Sequence, residues 1–147
     1  MKHGAVILCV GLAVLVLVGG TALGAMMTSQ AQKELDTAIF HAKAAASYNS
    51  LNEILLHLHH VENCIDGPKE KDYFPGSGDV CKGMGTGIKP DLRDSGMAGA
   101  HALPYVEAAE TVVEWGIARA MGKDAGRAKV AAEMAALILT QAKANFK

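Results

Sequence analysis

Nowhere in this chain do apolar residues alternate with polar ones as a half-buried strand requires; they return every three or four positions instead. The clearest run is Leu51, Ile54, Leu58, Val61 and Ile65, which fall within about 80° of arc at ~100° per residue, the buried stripe of an amphipathic helix. Just ahead of it, Ser50-Leu51-Asn52-Glu53 matches a capping box, in which the serine hydroxyl and the glutamate carboxylate each satisfy a free N–H group. Asp66-Gly67-Pro68 ends this helix. An earlier run, Gln32 to Ala46, sets Leu35, Ala38, Ile39, Ala42 and Ala45 at helical spacing among good helix formers. A third begins at Pro104, a residue suited to a first helical position, and reaches Met121 with Val106, Ala109, Val113, Ile117 and Ala120 inward. Asp124 caps a fourth, whose Ala125, Ala128, Ala132, Ala135, Leu139 and Ala142 form a stripe of small residues suited to close helix approach. The expected fold is all-α, a small bundle of four helices. Leu137 and Ile138 fall off the last stripe, so Met134 to Leu139 is apolar on nearly every side and calls for extra burial or a partner, a second copy included.

Residues 66 to 96 break the pattern. Gly76, Gly78, Gly83, Gly85 and Gly87 fall here among scattered charges, and no period emerges, so the segment reads as one long loop. Loops of this length in small domains are functional or tied down. Cys64 and Cys81 supply the tie: in an oxidising compartment a lone pair reads first as a disulfide, with thiolate metal ligation as the alternative. Closing such a loop stabilises a fold by about 3 kcal/mol on the chain-entropy model.

The oxidising compartment is itself an inference from the first thirty residues. Lys2 is the only Lys or Arg before Lys33, and Ala5 to Val18 is apolar throughout apart from Gly11, as in a secretion signal. Ala22-Leu23-Gly24 or Ser29-Gln30-Ala31 could precede a cleavage. The stretch 4 to 27 is equally long enough to span a bilayer, which takes about 20 residues. Residues 1–31 are therefore a signal peptide or a membrane anchor, and 32–147 one domain, periplasmic or otherwise extracytoplasmic. That domain carries a net charge of −2, because 15 Asp and Glu outnumber the Lys and Arg that remain after Lys2. No basic face advertises nucleic acid as a partner.

The residues that could carry chemistry crowd the second helix. His57, His60 and Cys64 each project within about 40° of the direction of Glu53, and His59 points away. Imidazoles three or four residues apart lie about 5–6 Å from each other, close enough to grip one ion, with a carboxylate one turn earlier as a further ligand. With Cys64 assigned to the disulfide, the candidate ligands are His57, His60 and Glu53. His41 joins them only if the chain reverses around residues 48 and 49, which sets residue 41 opposite 56 and 57. One continuous helix would separate His41 from His57 by about 24 Å. Half-buried histidines bonded to carbonyls or carboxylates are the alternative reading of the same residues. Glu107, Glu110 and Glu114 share another face and read as a solvated acidic surface, since no Glu is followed three residues later by His as a di-iron bundle requires. No catalytic Ser, His and Asp arrangement, phosphate-binding loop or calcium hand accompanies them, and no enzyme activity is expected.

An Ala-rich helical domain behind an export segment, carrying His41 and His57-Leu58-His59-His60, resembles the small periplasmic metal-binding proteins that fold as histidine-bearing four-helix bundles. The resemblance covers the first two helices; the last two carry no histidine after His101. It implies sequestration or delivery of a transition ion, with Zn, Cu, Ni and Fe as candidates. The competing expectation is an accessory or structural subunit of a membrane complex, anchored by residues 4–27 and docking through its loop or its last helix.

Overall fold

In a computed structural model, the backbone is described for residues 11–147 and the side chains from Ser29 onward. Five α-helices and one 3-10 turn make up the order α1 (Gly11–Ser47), α2 (Leu51–Asp66), the turn Pro75–Ser77, α3 (Ile88–Asp94), α4 (Gly96–Met121) and α5 (Ala125–Asn145). No strand occurs among the described residues, as the periodicity requires. The proposed signal or anchor, including the 4–27 stretch, lies outside the residues described in full. Among those, no helix is long and apolar enough to cross a membrane.

The core assembles from the stripes legible in the sequence. Ile54, Leu58, Val61 and Ile65 of α2 are wholly buried, as are Leu35, Ala38, Ala42 and Ala45 of α1 and Val106, Ala109 and Val113 of α4. The α5 stripe delivers Ala128, Ala132, Ala135, Leu139 and Ala142 to the same cluster. Its small side chains let the backbones close in. A Cβ on Gly116 of α4 would stand 2.7 Å from the Cβ of Ala131 and 3.3 Å from Leu58 Cδ1, so α2, α4 and α5 meet over this glycine with no room for a methyl group. Asp124 caps α5 through a bond from the Arg127 N–H at 3.0 Å.

Three expectations need correction. The third long helix begins at Gly96, not at Pro104, which sits inside it. Proline is costly in a helix interior because it lacks an N–H and crowds the preceding turn. Here the turns before it are retained because Gly99 and Ala102 are buried, and Gly99 rests so closely on Leu92 that a Cβ would meet its carbonyl oxygen at 1.7 Å. Residues 66–96 are not one irregular loop, since they hold the 3-10 turn and α3. Seven residues are too few for a period to show, and Pro90, tolerated in a first turn, masks the element. The four long helices of the expected bundle are present, and the short α3 is added to them among the described residues. Finally, Ser50 stands at the N-cap of α2 but its hydroxyl makes no capping bond there, and Glu53 is exposed.

What remains irregular is the 67–87 segment, closed at its neck. Gly67 (φ +75°) and Gly87 (φ +120°) lie back to back: a Cβ on Gly67 would meet the Thr86 carbonyl oxygen at 1.9 Å, and one on Gly87 the Asp66 carbonyl oxygen at 2.4 Å. Only glycine combines that backbone conformation with so close an approach. The Cys64–Cys81 disulfide, present as the sequence led us to expect, links the segment to α2. Together they make a compact loop with its two ends in contact, folded over the last turns of α2.

Candidate metal centre

Tyr48, Asn49 and Ser50 are the only non-helical residues between α1 and α2, and there the chain reverses. The reversal sets the end of α1 beside the start of α2 and brings His41 against His57. Their Nδ1 atoms are 2.8 Å apart, and His60 Nδ1 is 3.3 Å from His41 Nδ1. All three histidines offer a nitrogen within 4.8 Å of the others, a set that could hold a metal ion. Two imidazole nitrogens bound to one zinc at about 2.0–2.1 Å, at a near-tetrahedral angle, stand about 3.3 Å apart. The His60–His41 separation has that value, and a smaller angle at the ion accommodates the shorter one.

The proton positions follow from the partners. His60 Nε2 lies 2.8 Å from the carbonyl oxygen of Ser77, which can only accept, so Nε2 carries the hydrogen and the Nδ1 lone pair faces the cluster. A backbone carbonyl holding the far nitrogen of a ligating imidazole fixes its tautomer and its orientation. Between His41 and His57, one Nδ1 must carry a hydrogen for the other to accept, unless an ion takes both lone pairs. Burial, then the neighbouring His60 and His57, lowers His41 to about 4. Burial and His60 lower His57 as well, opposed by the Glu53 carboxylate. Both rings are neutral near pH 7 and available as ligands. Tyr48 stacks on His57 with centroids 5.2 Å apart, and Phe40 meets His41 edge-on at 5.1 Å, which restrains both rings.

Of the residues expected at the site, His41, His57 and His60 come together. Glu53 stands outside the cluster and acts on His57 only by its charge. His59 points away as expected, bonded to Glu62 Oε2 at 2.9 Å and stacked on Phe74. Ser77 leaves no signal in the sequence, because its role rests on a backbone carbonyl in a segment without periodicity.

Two further polar clusters were also not foreseen. Asp66, Asp72 and Glu110 offer carboxylate oxygens within 4.8 Å of one another. Lys89 Nζ stands among them, 2.5 Å from Asp66 Oδ1 and paired with Glu110, so an ammonium already fills a cation's role. Burial raises Asp66 to about 6 despite Lys89. Glu110, expected on a solvated face, is instead half-buried in this pair. The second cluster joins α1 to α3. Glu34, 1% exposed, accepts the Gly87 N–H at 3.0 Å and faces Asp91, which accepts the Thr86 hydroxyl at 2.5 Å. Burial, reinforced by the charge of Asp91, raises Glu34 to about 8, so near pH 7 it is the protonated member of a carboxyl–carboxylate pair.

Comparison with known proteins finds no family model, no curated protein and no solved structure that matches this chain.

Both shifts predict how stability follows pH. His41 binds a proton more readily unfolded, near 6.5, than folded, near 4. Its contribution is therefore complete above about pH 6.5 and is lost as pH falls through about 4. In thermal unfolding of metal-free protein, His41→Gln should flatten that acid limb; an unchanged limb would assign it to other groups. Glu34 has the opposite sign. Its folded value, about 8, lies above the unfolded 4.5, so its contribution is complete at low pH and is lost as pH rises through about 8. Glu34→Gln, neutral throughout and still able to donate to Asp91, should hold its Tm across about pH 5–9 while the parent declines. Parallel curves for the two proteins would contradict this assignment.

Proposed function

We propose that this protein is exported and holds a transition-metal ion through His41, His57 and His60, serving in sequestration or delivery. The observation that carries the reading is the convergence of three Nδ1 atoms from two helices, one of them oriented by a backbone carbonyl. Neutral imidazoles without a carboxylate among them suit zinc, copper, nickel or iron and do not suit calcium or magnesium, which require oxygen. Three protein nitrogens also leave a coordination position for a ligand from solvent or from another molecule, as transfer of an ion requires. The Cys64–Cys81 bond is in keeping with an oxidising, extracytoplasmic location. The resemblance to periplasmic histidine-bearing bundles points the same way.

The test is metal analysis of native protein together with titration of the metal-free form by Zn²⁺, Cu²⁺, Ni²⁺ and Fe²⁺. The parent should bind about one ion per chain and gain about 2.7 kcal/mol of stability at a free concentration 100-fold above Kd. His57→Ala/His60→Ala should lose both effects. Binding at background level in parent and variant alike would end this reading.

A second reading has its own observation. Val130, Met134 and Leu137 occupy positions i, i+4 and i+7 of α5 and are all exposed, Leu137 by 71%. An apolar stripe with no partner among the described residues supports the alternative of an accessory subunit anchored by residues 4–27, with α5 docking on a membrane-complex partner or a second copy. Gentle detergent extraction followed by sizing should then give a species larger than the monomer that Leu137→Lys dissociates. A soluble monomer lacking the first thirty residues would remove both anchor and partner.

A further inference from the structure

The far nitrogen of His60 is held by the 67–87 loop, and that loop is held by the two residues that follow one turn later on the same face of α2. Asn63, 1% exposed, is the first. Its side-chain amide donates to the carbonyl oxygens of Phe74 at 2.9 Å and Gly78 at 2.8 Å and to Ser77 Oγ at 3.1 Å, while its own oxygen accepts the Phe74 N–H at 2.8 Å. Cys64 is the second, bonded to Cys81. Asp79 Oδ1 accepts the Cys81 N–H at 3.1 Å and ties that end of the segment down. Residues 74–81 are thus clamped on both sides of Ser77, and the clamped carbonyl aims His60.

We propose that Asn63 and the Cys64–Cys81 bond are the positioning apparatus of the histidine centre, so that thiol–disulfide exchange sets its metal affinity. The inference rests on the metal reading above and adds its regulation. In the oxidised protein the clamp holds the Ser77 carbonyl on His60 Nε2, leaving Nδ1 turned to the ion. A dithiol reductant opens the bond. Its thiolate attacks Cys81 Sγ, forming a mixed disulfide and expelling Cys64 as a thiolate that takes up a proton. The reductant's second thiol then displaces Cys81, so that the protein gains two electrons and two protons and the reductant leaves as a disulfide. Cys81 offers the point of attack, because it borders an open cavity of about 380 Å³ lined also by Tyr73, Asp79 and Glu34, whereas Cys64 is wholly buried. With the bond open, residues 74–81 keep only Asn63 and the stacking of Phe74 on His59 beside the His60 contact itself, the Ser77 carbonyl leaves His60 for part of the time, and the third ligand loses its fixed tautomer.

Loss of an oriented outer partner of a metal-binding histidine costs about 10–100-fold in affinity. The experiment reads the coupling with and without metal. In the metal-free protein, long-range ¹H–¹⁵N NMR of the imidazoles should show His60 as the Nε2–H tautomer when oxidised and as a mixture of tautomers after reduction. With Zn²⁺ competed against a chromophoric chelator, Cys64→Ser/Cys81→Ser, which has no thiols to bind the ion, should bind about 10–100-fold more weakly than the oxidised parent. Asn63→Asp, which keeps the disulfide but lacks the amide donors, should show the same loss and covers the case of a double variant that does not fold. Helix content by circular dichroism should stay at the parent level in whichever variant is compared. An oxidised parent whose His60 keeps one tautomer on reduction, together with unchanged Zn²⁺ affinity in the folded variants, would overturn the coupling and leave the metal reading intact. An oxidised parent that binds no ion, with the NMR change present, would instead remove the metal reading and the regulation with it.

Discussion

Burial of one face of α2 is the constraint around which the molecule closes. Ile54, Leu58, Val61 and Ile65 have no exposure at all, and a 16-residue helix cannot hide four such side chains by itself. α1, α4 and α5 therefore pack around it, and Gly116 and Ala131 permit the closest of these approaches. Once α2 is fixed in this way, its remaining faces are committed too. His57 and His60 are turned toward α1, and Asn63 and Cys64 toward the loop, because at 3.6 residues per turn the positions i, i+3 and i+4 share a side.

The same geometry explains why polar chemistry gathers along the edges of the core. Two buried carboxyls have their counterparts on other elements: Glu34 of α1 faces Asp91 of α3, and Asp66 of α2 faces Lys89 of α3 and Glu110 of α4. Burial penalises the charged form, so Glu34 is pushed toward its acid and His41 toward its neutral base. In the histidine cluster this desolvation bears on the capacity to hold an ion. It keeps lone pairs free at pH values where an exposed imidazole would begin to protonate, and free lone pairs are what a transition ion requires.

The short α3 and the glycine neck give the loop an architecture that its composition does not suggest. Gly67 against Gly87 shuts the segment at its base, Cys64–Cys81 pins its middle to α2, and Asn63 supplies four hydrogen bonds to the part between. A segment rich in glycine is thereby made rigid enough for one of its carbonyls, that of Ser77, to orient a side chain. Within the interior of a longer helix that carbonyl would be engaged along the chain; at the end of the short 3-10 turn it is free for His60.

Local spacing was enough to read the all-α class, the buried stripes, the disulfide and the shared face of His57 and His60, because each depends only on helical period or on a lone cysteine pair. It misplaced the start of α4 and hid α3, because burial of Gly99, Ile88 and Leu92 overrode the local signals of Pro104 and Pro90. Glu34 looks like an ordinary surface residue until α3 is brought against it. The candidate centre divides in the same way. The chain by itself determined that two histidines share a face, and left open whether His41 could join them, since that turns on the direction taken at Tyr48–Ser50. Only the tertiary structure decided this, by packing α1 back on α2 so that residues 16 apart in sequence place their nitrogens 2.8 Å apart. It also set Glu53 aside and recruited the Ser77 carbonyl. Contacts between elements distant in the chain leave no period in the sequence, so they become visible only when the core has closed.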